Sequence, residues 1–356
     1  MVTDRSFWAG KRVFVTGHTG FKGGWLSLWL EAMGAEVHGY SLPPPTRPSL
    51  FEEARIERRL ASHAIGDVRD APSLRAAVAR ARPHIVFHLA AQPLVRLSYA
   101  EPVETYAVNV MGIVNLLEAV RQFGSVTALV NVTTDKCYDN KERQQGYRED
   151  EPLGGHDPYS SSKACSELVT AAYRDSFHAQ GRPWIASGRA GNVIGGGDWA
   201  TDRLIPDAFR ALEAGEVLRV RHPDAVRPWQ HVLEPLSGYL ALAERLATDG
   251  KAFAKAWNFG PADADARPVR WLLDRLQTLF PELEWRMEDQ PGVPEANTLR
   301  LDSARARAEL GWRPRWPLAA ALRKTADWHR AWQSGVDMGP VSLEQIAEYE
   351  AAAGNG

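Results

Sequence analysis

Lys11-Arg-Val-Phe-Val-Thr16 runs directly into Gly17-His18-Thr19-Gly20-Phe21-Lys22-Gly23, and the reading of this stretch decides the fold. A short β-branched run breaks at a glycine loop, an amphipathic stretch follows over Gly24–Met33, and a second apolar run covers Glu36–Tyr40. The pattern is strand, glycine loop, helix, strand. Glycines at 17, 20 and 23 permit a tight turn, let backbone N–H groups approach a pyrophosphate, and bring the helix close onto its strand. A lone G-x-x-G-x-x-G is a weak signal, but with the strand and helix placed around it the loop reads as a dinucleotide site. Gly17, His18, Gly20, Phe21, Lys22 and Gly23 are the expected contacts. For His18 and Lys22 two readings stand: contact with the phosphates, or cover over the cleft.

The residues after the second strand are Ser41-Leu42-Pro43-Pro44-Pro45-Thr46-Arg47, and they lack the carboxylate that usually meets an adenosine ribose. NAD is the expected cofactor, while Arg47 keeps NADP open as the partner of a 2′-phosphate.

Strand and helix continue to alternate, as in a doubly wound, Rossmann-like α/β sheet carrying a smaller C-terminal lobe. Ala64–Val68 ends in Asp67-Val68, an adenine contact. Ile85–Leu89 runs into Ala90-Ala91-Gln92, and a helix over Val103–Phe123 carries Asn109. Open α/β sheets collect ligands at strand C-termini. Leu89, Ala90, Ala91 and Asn109 are accordingly placed against the cofactor.

A strand over Ala128–Val132 leads into Thr133-Thr134-Asp135-Lys136, and further on stands Tyr159-Ser-Ser-Ser-Lys163. A lysine one helical turn after a tyrosine sets its ammonium by the phenol and favours the phenolate, which makes a hydride-transfer base. Thr134 assists such a base. Asp135 and Lys136 directly after it exceed what alcohol oxidation needs, and point to a second reaction step.

Composition excludes other classes. Lys and Arg number 42 against 44 Asp and Glu, with no basic block to follow a nucleic acid backbone. Two cysteines, Cys137 and Cys165, fit a reducing compartment. No charged n-region precedes an apolar core, and no uninterrupted run of 18 apolar residues occurs, so a soluble cytoplasmic protein without a membrane span is expected. No metal is expected. The thirteen tryptophans read as core packing.

The glycine loop, Asp67-Val68, the LAAQ and TTDKCY runs, YSSSK, RAGNVIGGGDW (189–199), RLIP, RPWQHV (227–232), WNFGP and LGWRPRWPL together resemble the extended short-chain dehydrogenase/reductases, and among them the sugar-nucleotide dehydratases. The resemblance runs from about Phe7 to about residue 330. It implies catalysis by Thr134, Asp135, Lys136, Tyr159 and Lys163: oxidation of a sugar at C4, loss of water across C5 and C6, and hydride return to C6. GHTGFKG, TTDKCYDN and RPWQHV imply a CDP-linked glucose. Sister enzymes acting on dTDP-glucose carry glutamate where Lys136 stands, so Lys136 is either a C5 base that acts neutral or an electrostatic stabiliser of the enolate.

Gln92, Arg96, Asn192, Trp199, Arg203 and Arg227 are placed on the nucleotide sugar, with Trp199 also read as filler of the small lobe. A cofactor domain over 1–189 and 228–260 would alternate with a substrate lobe over 190–227 and 261–340. The tail from Tyr349 reads as frayed. Helices over Val103–Phe123 and Pro158–Gln180 imply, by the same resemblance, a homodimer or homotetramer contact, or else they pack on the sheet. The rival functions are dehydration of another nucleotide-glucose, which Lys136 argues against, a sugar-nucleotide 4-epimerase, and a non-enzymatic NAD-sensing module.

Overall fold

The structure is a computed structural model that describes residues 4–179, 181–288 and 298–352. Its strands in chain order are β1 (Arg12–Thr16), β2 (Glu36–Ser41), β3 (Ser62–Ile65), β4 (Ile85–His88), β5 (Ala128–Val132), β6 (Trp184–Ala190), β7 (Val193–Ile194), β8 (Leu218–Val220), β9 (Val226–Pro228), β10 (Gln230–His231), β11 (Ala256–Phe259), β12 (Ala266–Pro268) and β13 (Trp285–Met287). The main sheet is seven-stranded in the order β11-β6-β5-β4-β1-β2-β3, every pair parallel. This is the doubly wound order, which reverses between β1 and β4 and opens a crevice there at the strand C-termini.

Parallel strands covered on both faces need apolar residues throughout, and β4 and β5 are buried along their whole lengths. One face is covered by α1 (Phe21–Ala32) together with Leu236, Leu240 and Trp257, the other by α2 (Ala71–Ala81) and α3 (Gly112–Arg121) through Leu74, Val78, Ile113 and Leu117. Trp8, Trp25, Trp29, Trp257 and Trp328 are fully buried, as core packing requires. Helix α3 completes a continuous helical run, Pro102–Arg121, with a π-helical turn at Ala107–Met111; by length and composition alone this run could cross a membrane.

The long helix α4 (Pro158–Phe177) packs beside β6. A second apolar cluster unites α5 (Leu204–Ala214), β8, α7 (Val269–Leu279) and α8 (Leu318–Gln333) around Phe209, Leu273 and Leu322. Helix α6 (Leu233–Asp249) lies between, and β11 after it rejoins the main sheet. The chain does not fray at Tyr349: α9 (Met338–Ala351) places that ring fully buried against Trp29 and Trp316, and of the expected tail 353–356 lie outside the described residues. Helix α4 ends at Phe177, short of the expected Gln180, which is also outside them.

Candidate active site

A cleft of about 1060 Å³ opens along the C-terminal ends of β1, β4, β5 and β6. Its floor begins at the glycine loop. Gly17 holds φ at +78°, and a Cβ there would lie 2.7 Å from Ala90 N; one on Gly23 would lie 2.0 Å from Gly17 O. The loop therefore closes on itself as a bare-backbone cradle. Gly20 caps α1 without a side chain, so the first N–H groups of the helix face the cleft. The cradle fits the pyrophosphate of a dinucleotide.

Phe21, Lys22, Asp67, Val68, Leu89, Ala90 and Ala91 line this arm as expected. Asp67 is ion-paired with Arg69 at 2.6 Å. Three expected contacts do not reach the cleft with their side chains. The His18 ring turns into the interior, 3.2 Å from His63 Nδ1 and over Gly39, where a Cβ would stand 2.5 Å from it. Burial holds it neutral, with its pKa lowered to about 4. Asn109 instead staples the turn after β4, its Oδ1 accepting from Gln92 N at 2.9 Å and its Nδ2 donating to Gln92 O and Ser162 Oγ. Gln92, expected on the sugar, is committed to the same turn through Leu94 and Thr105. Arg47 is exposed and 3.7 Å from Glu52; it does not itself line the cleft, although Thr46 beside it does.

The reacting end is built by β5 and α4. Asp157 caps α4 by accepting from Ser160 N at 2.9 Å, with Pro158 opening the first turn, and this fixes Tyr159 at the cleft wall. Lys163 follows one turn later, its Nζ 3.4 Å from Val132 O. Thr134 caps the short 3₁₀ turn Asp135–Cys137: its Oγ1 accepts from Lys136 N at 3.3 Å and donates to Asp135 Oδ1 at 3.0 Å. Thr134, Asp135, Lys136, Tyr159 and Lys163 all line one cavity.

Burial dominates their electrostatics. It pushes the Tyr159 phenol up to about 12, against the lowering effect of its hydrogen bond with Thr134, and Lys163 is not among the main influences on it. The expected activation by the ammonium is therefore outweighed by desolvation in this state. Burial raises Asp135 as well, against the opposing pull of Lys136, Thr134, Arg227 and Lys22. Lys22 is lowered to about 8, first by burial and then by Arg203. It stands among Arg203, Asp135 and Lys163, so it reaches the reacting end as well as the cradle.

The far arm receives Asn192, Trp199, Arg203 and Arg227. Arg203 pairs with Asp198 at 2.8 Å, and Arg227 Nη1 donates to Val226 O at 3.1 Å. Trp199 satisfies both readings, lining the cleft while its ring packs edge-on against Trp328 and Trp332. Arg96 lines the opposite wall and bridges to Asp202 at 2.7 Å. Sequence reasoning missed the end of this arm, where Leu218, Arg219, Val220, Arg221, His222 and Glu288 stand. The alternation of apolar and cationic residues in Leu218-Arg-Val-Arg221 was its signal.

Residues 14–257 match the family described as GDP-mannose 4,6 dehydratase. The chain is 54% identical to a CDP-glucose 4,6-dehydratase of Salmonella typhimurium over 98% of its own length and 99% of the relative's. Among solved structures it is similar to an NAD-dependent NDP-hexosamine 5,6-dehydratase involved in tunicamycin biosynthesis (TM-score 0.75, 25% identity, covering 91% of this chain and 98% of that one). A UDP-glucose 4-epimerase of Thermotoga maritima shares the fold at TM-score 0.78 and 20% identity, covering 90% of this chain and 99% of that one. By the match of family and by the near full-length relative, the chain belongs to the GDP-mannose 4,6 dehydratase family.

Proposed function

We propose that the chain is an NAD-dependent hydro-lyase that converts CDP-D-glucose to CDP-4-dehydro-6-deoxy-D-glucose. The observation that carries the dehydration is the buried Asp135 carboxyl beside Thr134 and Lys136, in the cavity that holds Tyr159 and Lys163. An epimerase needs only the last two and Thr134. The nucleotide follows from the 54% identical relative, which is a CDP-glucose 4,6-dehydratase.

Gly17, Gly20, Gly23, Asp67, Val68 and Leu89–Ala91 would hold NAD, whose nicotinamide would supply the hydride acceptor for oxidation at C4 and the hydride source for reduction at C6. The minor phenolate form of Tyr159 receives the proton of the sugar 4-hydroxyl, with Thr134 hydrogen-bonding the same oxygen, and Lys163 holds the nicotinamide ribose. The C4 ketone acidifies the C5 hydrogen. Lys136 takes that proton and Asp135 protonates the departing C6 hydroxyl, so one water leaves and a 5,6-alkene conjugated to the ketone remains. When hydride is added back at C6, the Lys136 ammonium returns its proton to C5, and the proton held by Tyr159 is lost through solvent, which reprotonates Asp135. Arg203 and Arg227 present guanidinium groups to the diphosphate, and Asn192 and Arg96 face the sugar nucleotide. The NAD domain would comprise 1–189 and 228–260, the nucleotide-sugar lobe 190–227 and 261–340.

A cytoplasmic homodimer, paired further into a tetramer or not, accounts for the exposed apolar residues Leu97, Val103, Met111, Leu168 and Phe177 on adjoining helices, and for the apolar Pro102–Arg121 run. Incubation with CDP-, dTDP-, GDP- and UDP-glucose, with the products weighed, tests the function. Loss of one water from the CDP sugar without accumulated NADH is expected; unchanged mass with every donor refutes it.

A further inference from the structure

Glu167 lies one helical turn beyond Lys163 and two beyond Tyr159 on α4, yet it does not line the cleft. Its carboxylate is buried, and so are all its partners. Oε1 accepts from Thr133 Oγ1, while Oε2 accepts from Ser187 Oγ at 2.6 Å and from Arg189 Nη2 at 2.9 Å. Arg189 Nη1 donates onward to Tyr138 Oη at 2.8 Å, and its guanidinium stands 4.9 Å from the Tyr138 ring centre. Thr133 and Tyr138 are the residues flanking the 134–137 segment. One carboxylate thus grips both ends of the segment that carries Thr134, Asp135 and Lys136, directly at one end and through Arg189 at the other.

A buried ion pair is a poor source of stability, because desolvation offsets its attraction and an apolar replacement is often neutral or better. The pair calls for a different role. We propose that Glu167 is a positioning residue of the dehydration: its buried carboxylate fixes the 134–136 segment against the helix carrying Tyr159 and Lys163. This rests on the dehydratase reading above.

The surroundings of Lys163 agree. Burial lowers its pKa to about 8, and Glu167 is the leading influence in the opposite direction, followed by Cys137. The other titratable groups coupled to it, His88 at the end of β4 and Lys22 on α1, supply no negative charge. Without the Glu167 charge, Lys163 gives up its proton at lower pH, and the alkaline limb of the rate profile moves down with it.

The test uses E167Q and E167Q/R189M in the full chain. Titration of the lysine side-chain ¹⁵N signals in substrate-free protein should show Lys163 losing its proton at lower pH in both variants. In turnover, kcat should fall about 100-fold, the scale of a misplaced catalytic group, with KM for the sugar nucleotide little changed. The double variant should regain thermal stability without regaining kcat. An unchanged Lys163 titration, recovery of kcat together with stability, or loss of folding in both variants would assign the pair to core packing and overturn the proposal. Failure of the wild-type chain to dehydrate CDP-glucose would instead refute the substrate reading, since the titration needs no substrate.

Discussion

Thr134 Oγ1 donates to Asp135 Oδ1 at 3.0 Å, while Asp135 Oδ2, equally buried, meets no hydrogen-bond partner among the described residues. A carboxylate with one oxygen served and the other bare is poorly solvated, and the group keeps its proton to higher pH than an ordinary aspartate. A carboxyl that keeps its proton is what the proposed acid role of Asp135 requires, with Lys136 in the proposed role of C5 base. Asp135→Asn retains the shape but cannot deliver a proton to the leaving hydroxyl. The expected result is C4 oxidation without dehydration: NADH absorbance appears with CDP-glucose and persists, and product formation falls roughly 10²–10⁴-fold. Tyr159→Phe, by contrast, should give no NADH. Since the acid must be protonated, the wild-type elimination rate falls as pH rises through the raised Asp135 pKa.

Lys136 stands half-buried at the cleft beside Asp135. If it removes the C5 proton, Lys136→Ala should still oxidise C4 but fail to exchange the C5 hydrogen with deuterated water, followed by mass spectrometry of recovered CDP-sugar. Normal exchange in this variant would make the lysine an electrostatic stabiliser.

The glycine loop separates two kinds of glycine. A Cβ on Gly23 would strike Gly17 O at 2.0 Å and His18 Cα at 2.9 Å, which are backbone atoms that cannot swing aside, whereas one on Gly20 would rest 3.4 Å from Gly17 O. Gly23→Ala should weaken NAD binding by roughly tenfold or more, about 1.4 kcal/mol. Gly20→Ala has room within the protein but would place its methyl where the cradle takes the pyrophosphate, so it should weaken NAD binding without loss of thermal stability, whereas Gly23→Ala should lower both. Calorimetric titration with NAD and thermal unfolding distinguish them, and unimpaired NAD binding in Gly20→Ala would contradict the cradle.

The sequence and the site agree where chemistry is local. Glycine spacing, the turn after β5 and the Tyr159–Lys163 helix turn are short-range patterns, and the structure gathers them into one cavity. His18 shows where such reading ends: its side chain turns inward because Gly39, on the neighbouring strand, leaves room for the ring. Asn109 and Gln92 spend their hydrogen bonds on each other's loop for the same reason, since a buried amide must be satisfied by whatever the fold brings near. Arg189, at the head of the glycine-rich stretch, lies under the site because Glu167, 22 residues earlier in the chain, draws it there. No local period encodes that pairing.

Glu234 gives a pH dependence of stability. At the start of α6 it accepts from Arg315 N, from Trp316 N at 2.7 Å and from Tyr349 Oη at 2.6 Å, and so ties α9 and the 315–316 turn to the sheet layer. These donors favour the carboxylate, but near-complete burial outweighs them and raises its pKa to about 7. A raised folded-state pKa contributes stability that is full below the unfolded value, near 4.5, and is lost as pH rises through about 7. Glu244, bonded to Trp8 Nε1 at 2.6 Å, behaves alike. The neutral buried His88 and His231 have lowered pKa values and work in the opposite direction, favouring the fold as pH rises. The wild-type slope is therefore a sum, and the difference between wild type and Glu234→Gln isolates one member. Urea unfolding at pH 5 and pH 8 should show the variant gaining on the wild type over that interval by at most roughly 3 kcal/mol. A pH-independent difference would mean that the three donors hold Glu234 ionised throughout.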